Sequence, residues 1–157
     1  MIHVGDRSLS LNDFSDILYK GKKVVLDKTA VEKVEVNFQF LKSFSSNKLI
    51  YGINTGFGPM AQYKVSEANL LQLQYNLIRS HSSGGGNLMS PKLVKAVMVA
   101  RLNSLMQAYS GVHTETVELL VNLINNDVSP CIYEHGGVGA SGDLVQLAHL
   151  VEPDIPG

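Results

Sequence analysis

Apolar residues recur at helical spacing along most of this chain. From Lys28 to about Phe44, Val31, Val34, Phe38 and Leu41 follow at steps of three or four and share one helix face. Ser66 opens a second helical stretch to about Ser82, with Leu70, Leu73, Leu77 and Ile78 as its buried stripe and Gly84, Gly85 and Gly86 as its stop. A third begins with Ser90 as N-cap and Pro91 at the first helical position, where a missing N–H costs nothing, and runs to about Tyr109, with Gly111 as its stop. Thr114 caps a fourth, to about Asn126, that buries Val117, Leu120, Val121 and Ile124. A shorter helix lies between Asn12 and Lys20, ended by Gly21, and a last one begins near Asp143. Ile2-His3-Val4 and Val24-Val25-Leu26 read as short strands able to pair. The fold class is therefore mainly α, with minor β at the start.

The third helix is apolar on most sides, more than a small bundle covers, so the pattern predicts packing against further chain or other subunits. Composition narrows the class. Hydrophobic residues make up 45% of the 157 and charged residues 17%, the balance of a globular core. Lys plus Arg number 13 against 14 Asp plus Glu, so no basic excess exists to hold nucleic acid. The apolar stretches are too short for a membrane span. The first residues lack a secretory signal, and Cys131 is the only cysteine, which fits a cytoplasmic setting and is expected to be a small buried hydrophobe.

Two glycine-rich loops carry the candidate chemistry: YGINTGFGP at 51–59 and GGVGASGDL at 136–144. Taken alone, such loops are tight turns that use glycine's backbone freedom. Phosphate binding is a poor fit, because neither loop has the Lys-Ser/Thr of a P-loop or a GxGxxG between strand and helix. The second loop has a further property. If the backbone bends sharply, the amide nitrogen of Gly142 reaches the carbonyl carbon of Ala140, and cyclisation releases one water. Loss of the Ser141 hydroxyl as a second water leaves an exocyclic methylene. The product is a methylidene-imidazolone (MIO), an electrophile made without added cofactor. Gly136, Gly137 and Gly139 permit the bend, and the following helix start would place a positive dipole end beside it.

Spacing alone makes this only possible chemistry. GGVGASGDL, YGINTGFGP and, between them, LQLQYNLIRSHSSGGG together resemble the histidine, tyrosine and phenylalanine ammonia-lyases, from about residue 9 to Leu150. The resemblance implies the N-terminal helical part of an ammonia-lyase-like (fumarase/aspartase-like) fold, and MIO formed from Ala140, Ser141 and Gly142 with no external cofactor and no metal. It implies that Tyr51 removes the substrate's β-proton. An unperturbed tyrosine, with a pKa of about 10, is a poor base at neutral pH, so nearby positive charge would have to assist it. Gly58 matches a glycine whose backbone lies against the substrate, and Asn54 in the same loop is a supporting residue. Asp143 matches an acidic residue after the tripeptide and could equally cap the next helix.

Ser80 and His81 match positions that shape the aromatic pocket. The Ser-His doublet resembles the histidine-specific branch, while Arg79 and the GPMAQYK stretch resemble a bacterial branch that includes tyrosine-cleaving members. The implied activity is non-oxidative release of ammonia from an aromatic L-amino acid, histidine to urocanate first, with tyrosine or phenylalanine as alternatives. The implied partners are that amino acid and further copies of the chain, as the family assembles homotetramers. Residues 1–150 are expected to form the MIO-bearing domain. Residues 151–157, with Pro153 and Pro156, do not match the family's continuing helix. A truncated chain is therefore expected, inactive alone for want of the carboxylate-binding arginine and neighbouring subunits. A non-catalytic helical fragment or pseudoenzyme is the alternative of another class.

Overall fold

A computed structural model describes residues 1–137 and 144–151. The elements are β1 (Ile2–Val4), α1 (Leu11–Lys20), β2 (Val24–Leu26), α2 (Lys28–Phe44), α3 (Glu67–His81), β3 (Gly85–Leu88), α4 (Pro91–Leu105), α5 (Thr114–Asn125), β4 (Tyr133–His135) and α6 (Leu144–Val151). They fall into two compact units, residues 1–41 with 90–129, and residues 42–89 with the chain from 130 onward.

In the first unit β1 and β2 pair in parallel, Ile2 opposite Val24 and Val4 opposite Leu26. The outer edge of β2 is not left bare. Asn125, at the end of α5, accepts from the Val24 N–H and donates to its carbonyl, both at 2.8 Å. The Ser90 side chain caps α4 by accepting from the Leu93 N–H, as its sequence predicts. Val94, Met98, Val99, Leu102 and Leu105 of α4 are buried, in the unit where α1 and α5 pack on this helix. Each such side chain contributes roughly 1.5–3 kcal/mol over an exposed one. Leu93, on another side of α4, is exposed.

Several boundaries differ from the expected ones. Helix α1 starts at Leu11, earlier than expected, because Ser10 and Asp13 form a capping box. Asp13 also takes a two-pronged ion pair from Arg7 at 2.7 and 3.0 Å. The bonds from Arg7 and Ser10 hold its carboxyl well below the usual carboxylate range. Asp27 caps α2, accepting from the Ala30 N–H at 2.9 Å. Helix α4 ends at Leu105, before Tyr109, as the chain tightens into three-residue turns and Ala108 takes a left-handed φ of 59°. The cap of α5 is His113, whose Nδ1 accepts from the Glu115 N–H, and Thr114 is the first helical residue. Within α5, Val117, Leu120 and Ile124 are buried as expected, whereas Val121 is half-buried.

In the second unit the three glycines do more than stop a helix. Gly85 and Gly86 lie in β3, which pairs antiparallel with β4, Gly85 opposite His135 and Leu88 opposite Tyr133. Gly86 has φ 83°, and a Cβ there would stand 2.5 Å from the His135 ring, so glycine alone admits that ring. Cys131, expected inside, is exposed, while its neighbour Ile132 is fully buried. In an extended segment adjacent side chains take opposite faces. The stripe of α3 is half-buried rather than buried, and no described residue of α3 is fully covered. Its cover within this unit is α6, which places Leu144, Leu147, Ala148 and Val151 opposite Leu77 and Ile78.

Candidate active site

All the candidate residues belong to the second unit. Ala140, Ser141, Gly142 and Asp143 lie outside the described residues, as do residues 152–157. The described part of the site consists of the 45–65 loop, the C-terminal turn of α3, and the walls that lead to residue 137 and away from residue 144.

The loop is organised around Asn54. Its side chain is buried, with 6% of its surface exposed. Its Oδ1 accepts from the Ile50 N–H at 2.8 Å, and its Nδ2 donates to the Ser45 and Lys48 carbonyls at 2.8 and 2.7 Å. One amide thereby satisfies three backbone groups of a segment that has no ladder of its own. Next to it, Thr55 is fully buried and bridges to Lys64, and the Gly56 N–H donates to the Tyr63 carbonyl. A Cβ on Gly56 would meet Met60 at 2.6 Å, so the loop closes on itself only with glycine there.

This scaffold carries Tyr51 and Gly58. Tyr51 is exposed, its ring edge-on to Phe57 with centroids 5.8 Å apart, and its hydroxyl accepts from the Gly58 N–H at 3.4 Å. Gly58 has a left-handed φ of 54° and opens a single 3-10 turn through Met60. The resemblance matched these two residues separately; the loop brings them into contact.

Ser80 and His81 sit on the last turn of α3, within the helical stretch expected to about Ser82. His81 Nδ1 lies 2.8 Å from the Leu77 carbonyl, and the Ser80 hydroxyl donates to the same oxygen at 2.9 Å. A carbonyl only accepts, so Nδ1 carries the proton of this bond, and in the imidazole tautomer that makes it Nε2 is the acceptor. The two side chains are also 3.0 Å apart, Oγ to Nδ1. His81 lines a small apolar cleft of about 180 Å3 with residues of α3 and α6. No hydrogen bond joins the Tyr51–Gly58 pair to the Ser80–His81 pair among the described residues.

Sequence reasoning passed over two polar residues of the helix that follows the tripeptide in the chain. Gln146 Oε1 and His149 Nδ1, on α6, are buried and have no hydrogen-bond partner among the described residues. Their signal in the sequence is two polar residues three apart in an otherwise apolar eight-residue helix, LVQLAHLV.

The chain is similar to known proteins in sequence and in fold. Over 151 residues it is 43% identical to the histidine ammonia-lyase of Shouchella clausii, covering 96% of this chain and 30% of that protein. Its fold matches the crystal structure of histidine ammonia-lyase from Trypanosoma cruzi with a TM-score of 0.82 and 31% identity, over 94% of this chain and 28% of that one. It likewise matches tyrosine aminomutase from Streptomyces globisporus with a TM-score of 0.85 and 30% identity, over 94% and 28%. The chain spans about 30% of the length of the curated relatives it matches. Residues 9–153 match the profile of the aromatic amino acid lyases, and the chain belongs to that family.

Proposed function

We propose that this chain is the electrophile-bearing region of an ammonia-lyase that acts on an aromatic L-amino acid, with histidine favoured and tyrosine second. The observation that carries the substrate reading is the commitment of His81 Nδ1 to the Leu77 carbonyl. The ring then offers an acceptor, which suits the N–H of an imidazole or the O–H of a phenol and gives nothing to a bare phenyl ring. The names of the relatives, histidine ammonia-lyases at 40–43% identity, support the same choice.

The residues present fit the MIO group. Ala140, Ser141 and Gly142 supply its atoms. A Cβ on Gly136 would stand 2.6 Å from Gln146 Nε2, so the described chain that leads toward the tripeptide packs tightly against a polar side chain. When formed, MIO supplies an electrophile for the substrate amine, which turns ammonium into a better leaving group. This chain's own residues handle the rest. Tyr51 is the base for the β-proton, and the Gly58 N–H orients its oxygen. Asn54 holds the loop that presents both. Ser80 and His81 set the pocket's polarity. Asp143 supports the tripeptide. The reading includes self-association, supported by large exposed apolar residues such as Leu71 and Leu119. It also includes a cytoplasmic location, in keeping with a lone, free cysteine.

The test is ammonia release from histidine, tyrosine and phenylalanine by a full-length protein carrying this region. Histidine should have the highest kcat/KM and phenylalanine the lowest, and Ser141→Ala should abolish nearly all turnover. A fully active Ser141→Ala protein refutes the electrophile; a preference for phenylalanine refutes the role of His81.

A further inference from the structure

The side chain of Tyr51 is held at few points. It is 63% exposed, so burial alone does not fix it. Among the described residues its hydroxyl makes one hydrogen bond, from the Gly58 N–H at 3.4 Å. That is longer than the usual N–H···O range of about 2.7–3.2 Å, and such a bond is a weak tether. A base that must meet a proton at hydrogen-bond distance needs more than this to keep its direction.

The opposite arm of the loop is built differently. Asn54, Thr55 and Gly56 are all buried. The Asn54 carbonyl accepts from the Val65 N–H at 2.9 Å, and the Gly56 N–H donates to the Tyr63 carbonyl at 3.2 Å. Phe57 follows directly in extended backbone, with φ −110° and ψ 157°, and its carbonyl accepts from the Met60 N–H at 3.0 Å. Phe57 is thus anchored through the backbone on both sides. Its half-buried ring meets the Tyr51 arm twice. It stands edge-on to the Tyr51 ring, with planes 82° apart and centroids 5.8 Å apart. A Cβ on Gly52 would stand 3.7 Å from Phe57 Cε1, so the ring also lies against the chain one residue past Tyr51. Edge-on contact at this separation is a favoured aromatic geometry, because the positive edge of one ring meets the negative face of the other. The pair couples an anchored side chain to one with little else to hold it.

Resting on the reading of Tyr51 as the base, we propose that Phe57 is a positioning residue for β-proton removal. Its ring limits the swing of the Tyr51 ring and keeps the phenolic oxygen within reach of the Gly58 N–H. Phe57 acts only through Tyr51. A mere filler of the loop could be any apolar residue of similar bulk, whereas an edge-on contact needs a ring.

The experiment compares the full-length protein carrying this region with its Phe57→Leu and Phe57→Tyr variants, on histidine and on histidine deuterated at the β-carbon. Phe57→Leu keeps apolar bulk and loses the ring. Its kcat should fall about two- to tenfold, the population factor that one edge-on aromatic contact is worth. Its KM should stay within about twofold of wild type, as expected when the lost interaction serves the transition state rather than binding. The isotope effect on kcat should equal or exceed that of wild type, because the slowed step is removal of the β-proton. Phe57→Tyr keeps the ring and should keep kcat. Amide hydrogen exchange at residues 54–56 should be the same in all three proteins. A wild-type kcat in Phe57→Leu, an isotope effect below that of wild type, or an equal loss in Phe57→Tyr overturns the proposal. Faster exchange at residues 54–56 also overturns it, by making Phe57 part of the scaffold alone. Tyr51→Phe separates this proposal from the reading beneath it. If that variant stays fully active, Tyr51 is not the base; if it is nearly inactive beside an unaffected Phe57→Leu, only the role of Phe57 falls.

Discussion

Asn54 offers a direct test of how the Tyr51 loop is held. Its side-chain amide makes three bonds to backbone groups, at 2.7, 2.8 and 2.8 Å, from an almost fully buried position. Asn54→Ala removes all three and strands the Ile50 N–H and the Ser45 and Lys48 carbonyls. At about 1 kcal/mol net per bond, and with water reaching some of the freed groups, the loss should be about 2–3 kcal/mol for opening of this loop. Asn54→Asp is the sharper perturbation. It keeps the acceptor for Ile50 but turns a carboxylate oxygen toward two carbonyl oxygens. The charged form is disfavoured there, so the aspartate's affinity for protons should rise. At neutral pH Asn54→Asp should therefore be worse than Asn54→Ala, and it should recover as the pH falls and a protonated oxygen can donate again. Amide hydrogen exchange over residues 48–58 measures the opening. If Asn54→Asp exchanges like wild type at neutral pH, or fails to recover protection in acid, Asn54 does not organise the loop as described.

His81→Leu removes the Nε2 acceptor, and should lower the preference for histidine over phenylalanine in kcat/KM by about 1–3 kcal/mol, the worth of one buried hydrogen bond; an unchanged ratio removes His81 from the pocket. Asp13, held below the usual carboxylate range by its bonds to Arg7 and Ser10, contributes stability above the unfolded carboxylate pKa of about 4. That contribution is lost as the pH falls through the lower folded value. Denaturation midpoints of Asp13→Asn should thus fall below wild type at neutral pH and converge with it in acid; a constant gap would contradict the linkage.

The sequence made some features plain because their causes are local. The Ser90–Pro91 start of α4 rests on a hydroxyl and a missing N–H at adjacent positions, and it stands as read. The bounds of α2, Lys28–Phe44, follow from a long apolar period. The β3–β4 pair was not legible, since it joins residues nearly fifty positions apart through glycines that no strand propensity favours. A stripe such as Leu70, Leu73, Leu77 and Ile78 shows which face seeks cover, not how much it finds. In the candidate site, motif matching named Tyr51, Gly58, Ser80 and His81, but not the Tyr51–Gly58 bond or the proton on His81 Nδ1. The unpaired polar atoms of Gln146 and His149, without a partner among the described residues, were not legible, since only packing reveals them.

The central claim is that Ala140, Ser141 and Gly142 become a ring. Intact mass spectrometry of the full-length protein carrying this region, followed by fragmentation across residues 136–146, tests it directly. The account predicts a mass two waters below that of the sequence, with the whole deficit in the peptide containing Ser141, and an unmodified mass for Ser141→Ala. A wild-type peptide of full mass in an active lyase would contradict it.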